Sequence, residues 1–133
     1  MNNPKRKTLY EQIGKDRLRE LVKTFYDIVE TDPNEGDIIH KLHLKGLGVN
    51  HLRAAQLEFL SGFFGGPKYY VEKTGHSDIR QIHAHVEIGY VERDAWLVCM
   101  GRAIDQVGFK PELKERMMAT FTRAAEMNRN QDN

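Results

Sequence analysis

The chain has 133 residues, of which 40% are hydrophobic and 29% charged, a composition typical of one packed domain rather than of a disordered chain. The formal net charge is only +1, which disfavours nucleic acid as a main partner because phosphate binding needs a cationic excess on one face. No apolar stretch approaches the ~20 residues of a membrane span, and no signal peptide follows the basic start. The single cysteine, Cys99, suits a cytoplasmic protein.

Apolar residues recur at helical spacing along most of the chain, and no strand pattern is found, so the sequence predicts an all-α fold. The predicted helices cover residues 8–13, 16–31, 37–43, 50–64, 77–89 and 92–107, and a last helix opens at Pro111. Asn50 is the expected N-cap of the fourth helix, and Gly108 is the expected C-cap of the sixth. We expect one domain over residues 1–133, with mobile tails at 1–8 and 128–133.

A glycine-punctuated loop is predicted over residues 65–75, and the short helix after it carries His83 on its apolar side. Ile79, Ile82, His83 and Val86 follow the spacing of one helix face, so the imidazole is expected to point into the protein. A histidine in such a position is either a core residue bonded to a backbone carbonyl or a ligand of a metal. The spacing alone leaves both interpretations open.

Three side chains with hydrogen-bond donors lie on or beside apolar helix faces. Gln56 stands inside an otherwise apolar stripe, Tyr26 stands at the edge of another, and Trp96 opens a third. A buried amide left unpaired costs about 1–3 kcal/mol, so Gln56 is the residue least expected in an ordinary core. Cys99 is predicted to be a small core residue rather than a redox centre.

Five motifs in a fixed order then give the sequence a resemblance to a known family. They are the Phe25-Tyr26 pair, the Gly65-Gly66-Pro67 stop with Tyr70 three residues further on, Gly75-His76, Arg80 three residues before His83, and Ala95-Trp96. The chain resembles the group II truncated haemoglobins over residues 9–127. The resemblance implies a two-over-two helical sandwich around one haem b (iron protoporphyrin IX), with His83 as the proximal ligand of a five-coordinate iron.

The same resemblance implies roles for individual residues. The ligand-binding (distal) positions fall on Tyr26, Gln56 and Trp96, with His43, His40 and Leu44 as alternatives for a further position above the haem. The cofactor-binding positions fall on Phe25, Leu52, Phe59, Tyr70, Arg80 and His83. Leu52 matches the gate of the distal helix, and Tyr70 and Arg80 match positions near the haem propionates. Without the resemblance, Arg80 would be read as a surface charge, as Lys68 and Lys73 are.

The expected function is the binding of dioxygen, carbon monoxide and nitric oxide in a polar pocket, where several donors would slow the escape of dioxygen. Such a pocket also suits nitric oxide dioxygenation or peroxide chemistry, for which a reductase would be a partner. A monomer and a homodimer are both open. Two alternatives are a non-haem metal enzyme that uses His40, His43, His76, His83 and His85, and an interaction module without a cofactor. The first lacks the ligand spacings usual in helical bundles.

Overall fold

The computed structural model describes residues 7–44, 49–76, 78 and 87–131, with no description of the side chains of residues 43, 44 and 49–53. Within these residues the secondary structure is helical, as the sequence predicts. The helices are α1 (Leu9–Ile13), α2 (Lys15–Thr31), α3 (Glu35–Leu44), α4 (Val49–Phe63), α5 (Tyr69–Thr74), α6 (Tyr90–Val107) and α7 (Pro111–Asn128).

Helix α2 lies at the centre of the fold, in contact with α1, α3, α4 and α6. Its buried face includes Leu18, Leu21 and Phe25, of which Leu21 and Phe25 have no exposed surface. Helix α6 packs against α2, α3 and α7 and contributes Cys99 and Met100, which are also fully buried. The core is therefore built where α2 packs against α6, with α4 packed on α2 and α7 packed on α6.

The predicted helix ends are largely confirmed where local chemistry sets them. Thr8 caps α1 through a reciprocal pair of bonds with Glu11, the arrangement known as a capping box. Gly108 ends α6 in the left-handed conformation, with φ of 90°, which glycine adopts without steric cost. Pro111 is the first residue of α7, where the missing N–H of proline costs no helical bond.

Three predictions of helix position are wrong. The expected loop over residues 65–75 contains α5, which ends at Gly75 in the left-handed conformation. Asn50 is not an N-cap, because α4 already begins at Val49. Helix α3 begins at Glu35, two residues earlier than predicted, and so includes Gly36. A Cβ at Gly36 would overlap the carbonyl oxygen of Ile28, so glycine permits a close approach of α3 to α2.

The helix predicted over residues 77–89 is described only at its ends. Asp78 and residues 87–89 are outside any helix, so the prediction is wrong at these positions. Ser77 and residues 79–86 lie outside the described residues. Residues 129–131, placed in a tail by the sequence, form backbone bonds to the chain, since the N–H groups of Asn130 and Gln131 donate to the carbonyl of Ile88. In the described ranges, no helix combines the length and the apolar character needed to cross a membrane.

Candidate functional site

A hydrogen bond between Tyr26 and Gln56 joins α2 to α4 inside the protein. The Tyr26 hydroxyl donates to Gln56 Oε1 over 2.6 Å, which is at the short end of the range for an O–H donor. Only 1% of the surface of Tyr26 is exposed. The prediction that Tyr26 stands at the edge of its helical stripe is therefore wrong: its polar end is satisfied by Gln56, so the ring can be buried completely.

The NH2 group of Gln56 has a different environment from the amide oxygen. Gln56 Nε2 is buried, and no hydrogen-bond partner for it is found among the residues that the structure describes. Because the amide oxygen is held by Tyr26, the NH2 group is directed away from that hydroxyl. Burying an unpaired donor costs about 1–3 kcal/mol, so such a group calls for an explanation, and a bound molecule with an acceptor atom is one.

Aromatic rings connect this pair to Trp96 on α6. The ring of Phe25 meets the ring of Tyr26 edge to face at 5.0 Å, and it lies 5.4 Å from the ring of Trp96. Trp96 is partly buried and packs against Phe121 of α7 at 5.2 Å. Tyr26 and Trp96 therefore share Phe25 as a neighbour. Ring pairs of this geometry add about 0.5–1.5 kcal/mol beyond the burial of their surface.

A cavity of about 640 Å³ opens beside α4, α5 and α7, within the range of ~300–1,000 Å³ usual for small molecules and cofactors. Its described lining comprises Glu58, Phe59, Gly62, Phe63, Lys68, Tyr70, Val71, His76, Asp78, Thr120, Arg123, Ala124 and Met127. Phe59 and Phe63 are stacked at 5.7 Å, and Phe59 meets Tyr70 edge to face at 5.5 Å. Phe59 follows Gln56 by one turn of α4, so the two belong to one helix face.

Hydrogen bonds and an ion pair connect some of the residues that line this cavity with their neighbours. Thr74 Oγ1 donates to the carbonyl of His76 over 2.9 Å, and the N–H of Asp78 donates to His76 Nδ1 over 3.1 Å. Lys73 forms an ion pair with Glu58 of α4. Lys73 is exposed, as predicted for a surface charge, and the pair adds a contact between α5 and α4.

The sequence interpretation missed the contribution of α7 to the cavity. Thr120, Arg123, Ala124 and Met127 all line it, although the sequence predicts no site residue on the last helix. The four positions follow the i, i+3, i+4, i+7 spacing of one helix face. The sequence contains this spacing, but the charge of Arg123 within it is typical of a solvent-exposed face.

Several predicted site residues cannot be placed. Arg80, His83 and His85 lie outside the described residues, as do the side chains of His43, Leu44 and Leu52. His40 is partly buried on α3. Across the described part of the chain, no three His, Cys, Asp or Glu side chains are grouped closely enough to hold a metal ion. Coordination by His83 stays a prediction.

Comparison with known proteins adds to this geometry. The family model for bacterial-like globins matches residues 8–130. The group 2 truncated hemoglobin YjbI of Bacillus subtilis is 36% identical over 106 residues, which is 80% of this chain and 76% of the relative. Among solved structures, the group II 2-on-2 hemoglobin of Agrobacterium tumefaciens is 35% identical with a TM-score of 0.87, covering 98% of this chain and 100% of that one.

Another similar structure is a truncated oxygen-avid haemoglobin from Bacillus subtilis, 32% identical with a TM-score of 0.82, covering 93% of this chain and all of that one. The chain therefore belongs to the bacterial-like globins, and within them to the group II truncated haemoglobins. The predicted all-helical truncated globin fold is thereby confirmed.

Membership of the globin family implies a haem cofactor, and two features of the described residues fit one. The cavity is lined by the stacked rings of Phe59 and Phe63 and by Tyr70, which suits a flat aromatic molecule. One turn before Phe59, Gln56 holds a buried, unpaired N–H donor. Apolar walls with a few placed polar groups are usual for cofactor sites.

Proposed function

We propose that this protein binds haem b through His83 and binds dioxygen and other diatomic ligands in a polar pocket beside it. The observation that carries the proposal is the Tyr26–Gln56 pair, in which one amide group is held by a 2.6 Å hydrogen bond and its NH2 remains buried without a partner among the described residues. The oxygen-avid relative from Bacillus subtilis supports dioxygen as the ligand.

In this proposal the protein residues orient donors around the ligand. Haem supplies an iron with one open position at which a diatomic molecule can bind. The Tyr26 hydroxyl fixes the Gln56 amide, so that Nε2 would be held as a hydrogen-bond donor for a ligand bound beside it. Trp96 limits the space available to the ligand on the side of α6, because its ring packs between the rings of Phe25 and Phe121. Each donated bond contributes on the order of 1 kcal/mol, and more when the ligand carries charge.

The remaining predicted cofactor residues hold the macrocycle. Phe25 and Phe59 would contribute apolar contacts, and Leu52, a residue of α4, is assigned the role of gate. Tyr70, which lines the cavity, and Arg80 bind the propionates, in the case of Arg80 through a charge-assisted bond. This arrangement would give the haem propionates polar partners and keep the porphyrin ring among apolar side chains.

The test is the replacement of His83 by glycine, with and without added imidazole. We expect His83→Gly to lose the absorption spectrum of histidine-ligated haem, and free imidazole to restore it by filling the same position. The matched control is His85→Gly, two residues further on, which should retain the wild-type spectrum. The assignment is wrong if His83→Gly keeps the wild-type spectrum, or if His85→Gly is the variant that imidazole rescues.

Nitric oxide dioxygenation and peroxide turnover stay predictions. Repeated dioxygenation would need a reductase, and repeated peroxide turnover would need a reducing co-substrate. A donor-rich pocket stabilises a partly anionic ligand, which suits both reactions better than rapid release. The measurement is nitrate formed per haem when the dioxygen-loaded protein is mixed with one equivalent of nitric oxide. Nitrate in near-stoichiometric yield supports dioxygenation, and its absence rules that reaction out.

A further inference from the structure

Residues 130 and 131, which follow α7, are hydrogen-bonded to Ile88. Ile88 lies in the chain between His83 and the start of α6. The N–H of Ile88 donates to Asn130 Oδ1 over 2.8 Å. The carbonyl of Ile88 accepts from the N–H of Asn130 over 2.8 Å and from that of Gln131 over 3.0 Å. Ile88 is buried, with 9% of its surface exposed. Ile88 thus has both of its backbone polar groups bound by residues 130 and 131.

Arg129 secures the same terminus to the start of α6. Its guanidinium lies 4.1 Å from the ring centre of Tyr90, and Arg129 Nε lies 2.7 Å from Glu126 Oε1. Arg93 shares both partners, since it lies 4.7 Å from the Tyr90 ring and pairs with Glu126 at 3.0 Å. Two arginines, one carboxylate and one ring therefore hold residues 129–131 in place.

This contact is close to the expected iron ligand along the chain. Ile88 follows His83 by five residues, and on the other side the bonds among Thr74, His76 and Asp78 end five residues before His83. On the C-terminal side of His83 the chain is therefore held at Ile88 by residues 130 and 131, and on the N-terminal side local bonds join Asp78 to the end of α5. Fixing the ends of a segment restricts the positions that a side chain within it can reach.

We propose that residues 129–131 form a C-terminal clasp that positions His83, with Asn130 as the positioning residue. The clasp acts through the backbone of Ile88 and does not touch the haem. Loosening it would release the backbone at Ile88, five residues after His83, and so weaken the hold of His83 on haem and speed haem loss. This inference rests on the proposed function, because it takes His83 to be the iron ligand.

The test compares three variants of the full chain in the haem-loaded state. Asn130→Ala removes the acceptor from the buried N–H of Ile88, Asn130→Asp keeps an oxygen there, and Gln131→Ala keeps the backbone N–H that binds Ile88. We expect Asn130→Ala to transfer haem to an acceptor protein about fivefold faster or more. Asn130→Asp and Gln131→Ala should stay close to the wild type.

A spectroscopic measurement separates an effect on the position of His83 from a general loss of stability. The iron–histidine stretching band of the ferrous protein is expected to shift in Asn130→Ala and to return in Asn130→Asp. In the haem-loaded protein, the Ile88 amide should exchange its hydrogen faster in Asn130→Ala. If Asn130→Ala does not fold, Arg129→Ala provides the same comparison, with Arg129→Lys as its control.

The proposal is overturned if the folded Asn130→Ala protein, or Arg129→Ala in its place, keeps both the wild-type band and the wild-type rate of haem loss. A faster loss with an unchanged band would also overturn it, since the change would then reflect stability alone. The failure of the proposed function looks different: His83→Gly would keep the wild-type spectrum while the clasp variants remain measurable.

Discussion

The hydroxyl of Tyr26 donates to Gln56 Oε1 over 2.6 Å, and this bond leaves the NH2 group as the end of the amide that is directed away from Tyr26. Tyr26 is on α2 and Gln56 on α4, so the bond also joins two helices of the core. A donor fixed before the ligand arrives needs no reorganisation when it binds. The retention of dioxygen is therefore expected to depend on both residues together.

The first prediction concerns the rate at which dioxygen leaves. Gln56→Leu removes the donor, and Tyr26→Phe removes the group that orients it. Each change is expected to speed dioxygen dissociation by roughly fivefold or more, as about 1 kcal/mol of hydrogen bonding is lost. Stopped-flow displacement of dioxygen by carbon monoxide measures the rate, with the exposed Tyr69→Phe as the control.

The double variant shows whether the two residues act as a unit. Because Tyr26 acts through Gln56, the effect of Tyr26→Phe should be much smaller in the Gln56→Leu background. A coupling of about 0.5–3 kcal/mol is usual for residues in direct contact. Strict additivity, or unchanged dissociation in Tyr26→Phe, would contradict the assigned role.

The second prediction concerns Asp32, at the junction of α2 and α3. The N–H of Gly36 donates to its carboxylate over 2.8 Å and that of Asn34 over 3.2 Å, and Arg102 pairs with it. The backbone bond from Gly36 is the largest cause holding the pKa of Asp32 below its ordinary value, assisted by the bond from Asn34 and by the charge of Arg102.

A lowered pKa in the folded state means that the charged form stabilises the fold at pH above the unfolded value of about 3.9. That stabilisation is lost as the pH falls through the folded pKa. The wild type is therefore expected to be more stable than Asp32→Asn at pH 7, and the difference should shrink below about pH 4. Urea unfolding at several pH values measures it. A difference in the free energy of unfolding between the wild type and Asp32→Asn that does not depend on pH would contradict the lowered pKa of Asp32.

The third prediction concerns Cys99, which has no exposed surface. Burial is the main cause that raises the pKa of its thiol to about 11. We expect no alkylation of Cys99 by iodoacetamide in the folded protein at pH 8, and rapid alkylation in urea, because only the exposed thiolate reacts. Mass spectrometry of the intact protein measures it, and rapid labelling of the folded chain would contradict the burial.

The same shift has a consequence for stability at alkaline pH. The folded pKa exceeds that of the unfolded chain, about 8.5, so the unfolded state loses its proton first. The contribution of the neutral thiol is complete below about pH 8.5 and falls as the pH rises toward 11. Cys99→Ala should lack this part of the alkaline decline in the free energy of unfolding.

The fourth prediction concerns the junction of α1 and α4. A Cβ at Gly66 would overlap the ring of Tyr10, and the N–H of Tyr10 donates to the carbonyl of Phe64 over 2.9 Å. We expect Gly66→Ala to lower the free energy of unfolding by about 1–3 kcal/mol, as overpacking usually does. Urea denaturation of the haem-free protein measures it.

Gly101→Ala is the matched control for this change. A Cβ at Gly101, within α6, would lie 3.8 Å from Met118 Cε, an ordinary contact. Alanine in a helix is about 0.5–1 kcal/mol more favourable than glycine, so this variant should be as stable as the wild type or more so. Equal effects at the two glycines would contradict the packing argument at Gly66.

The sequence predicts the long helices well because their ends are set locally. Gly108 and Pro111 act through their own backbone preferences, which depend little on the rest of the fold. Helix α5 was missed because six residues are too few to form a stable helix alone. Its stability comes from α4, through the contact of Tyr70 with Phe59 and the ion pair of Lys73 with Glu58.

The candidate site was predicted in its parts but not in its connections. Gln56 was recognised because an amide in an apolar stripe needs a partner, yet the stripe could not show that the partner is Tyr26. That pairing joins residues 30 positions apart and depends on how α2 packs on α4. The C-terminal contact at Ile88 depends in the same way on a fold-level approach of residues 42 positions apart.

The most direct test of the central claim is a titration of the haem-free protein with haemin, followed by its absorption spectrum. The account predicts a Soret band that stops growing at one haemin per chain, and ferrous and carbon monoxide spectra of a protein with one histidine ligand. A chain that takes up no haemin, or takes it up without a defined end point, would contradict the proposed function.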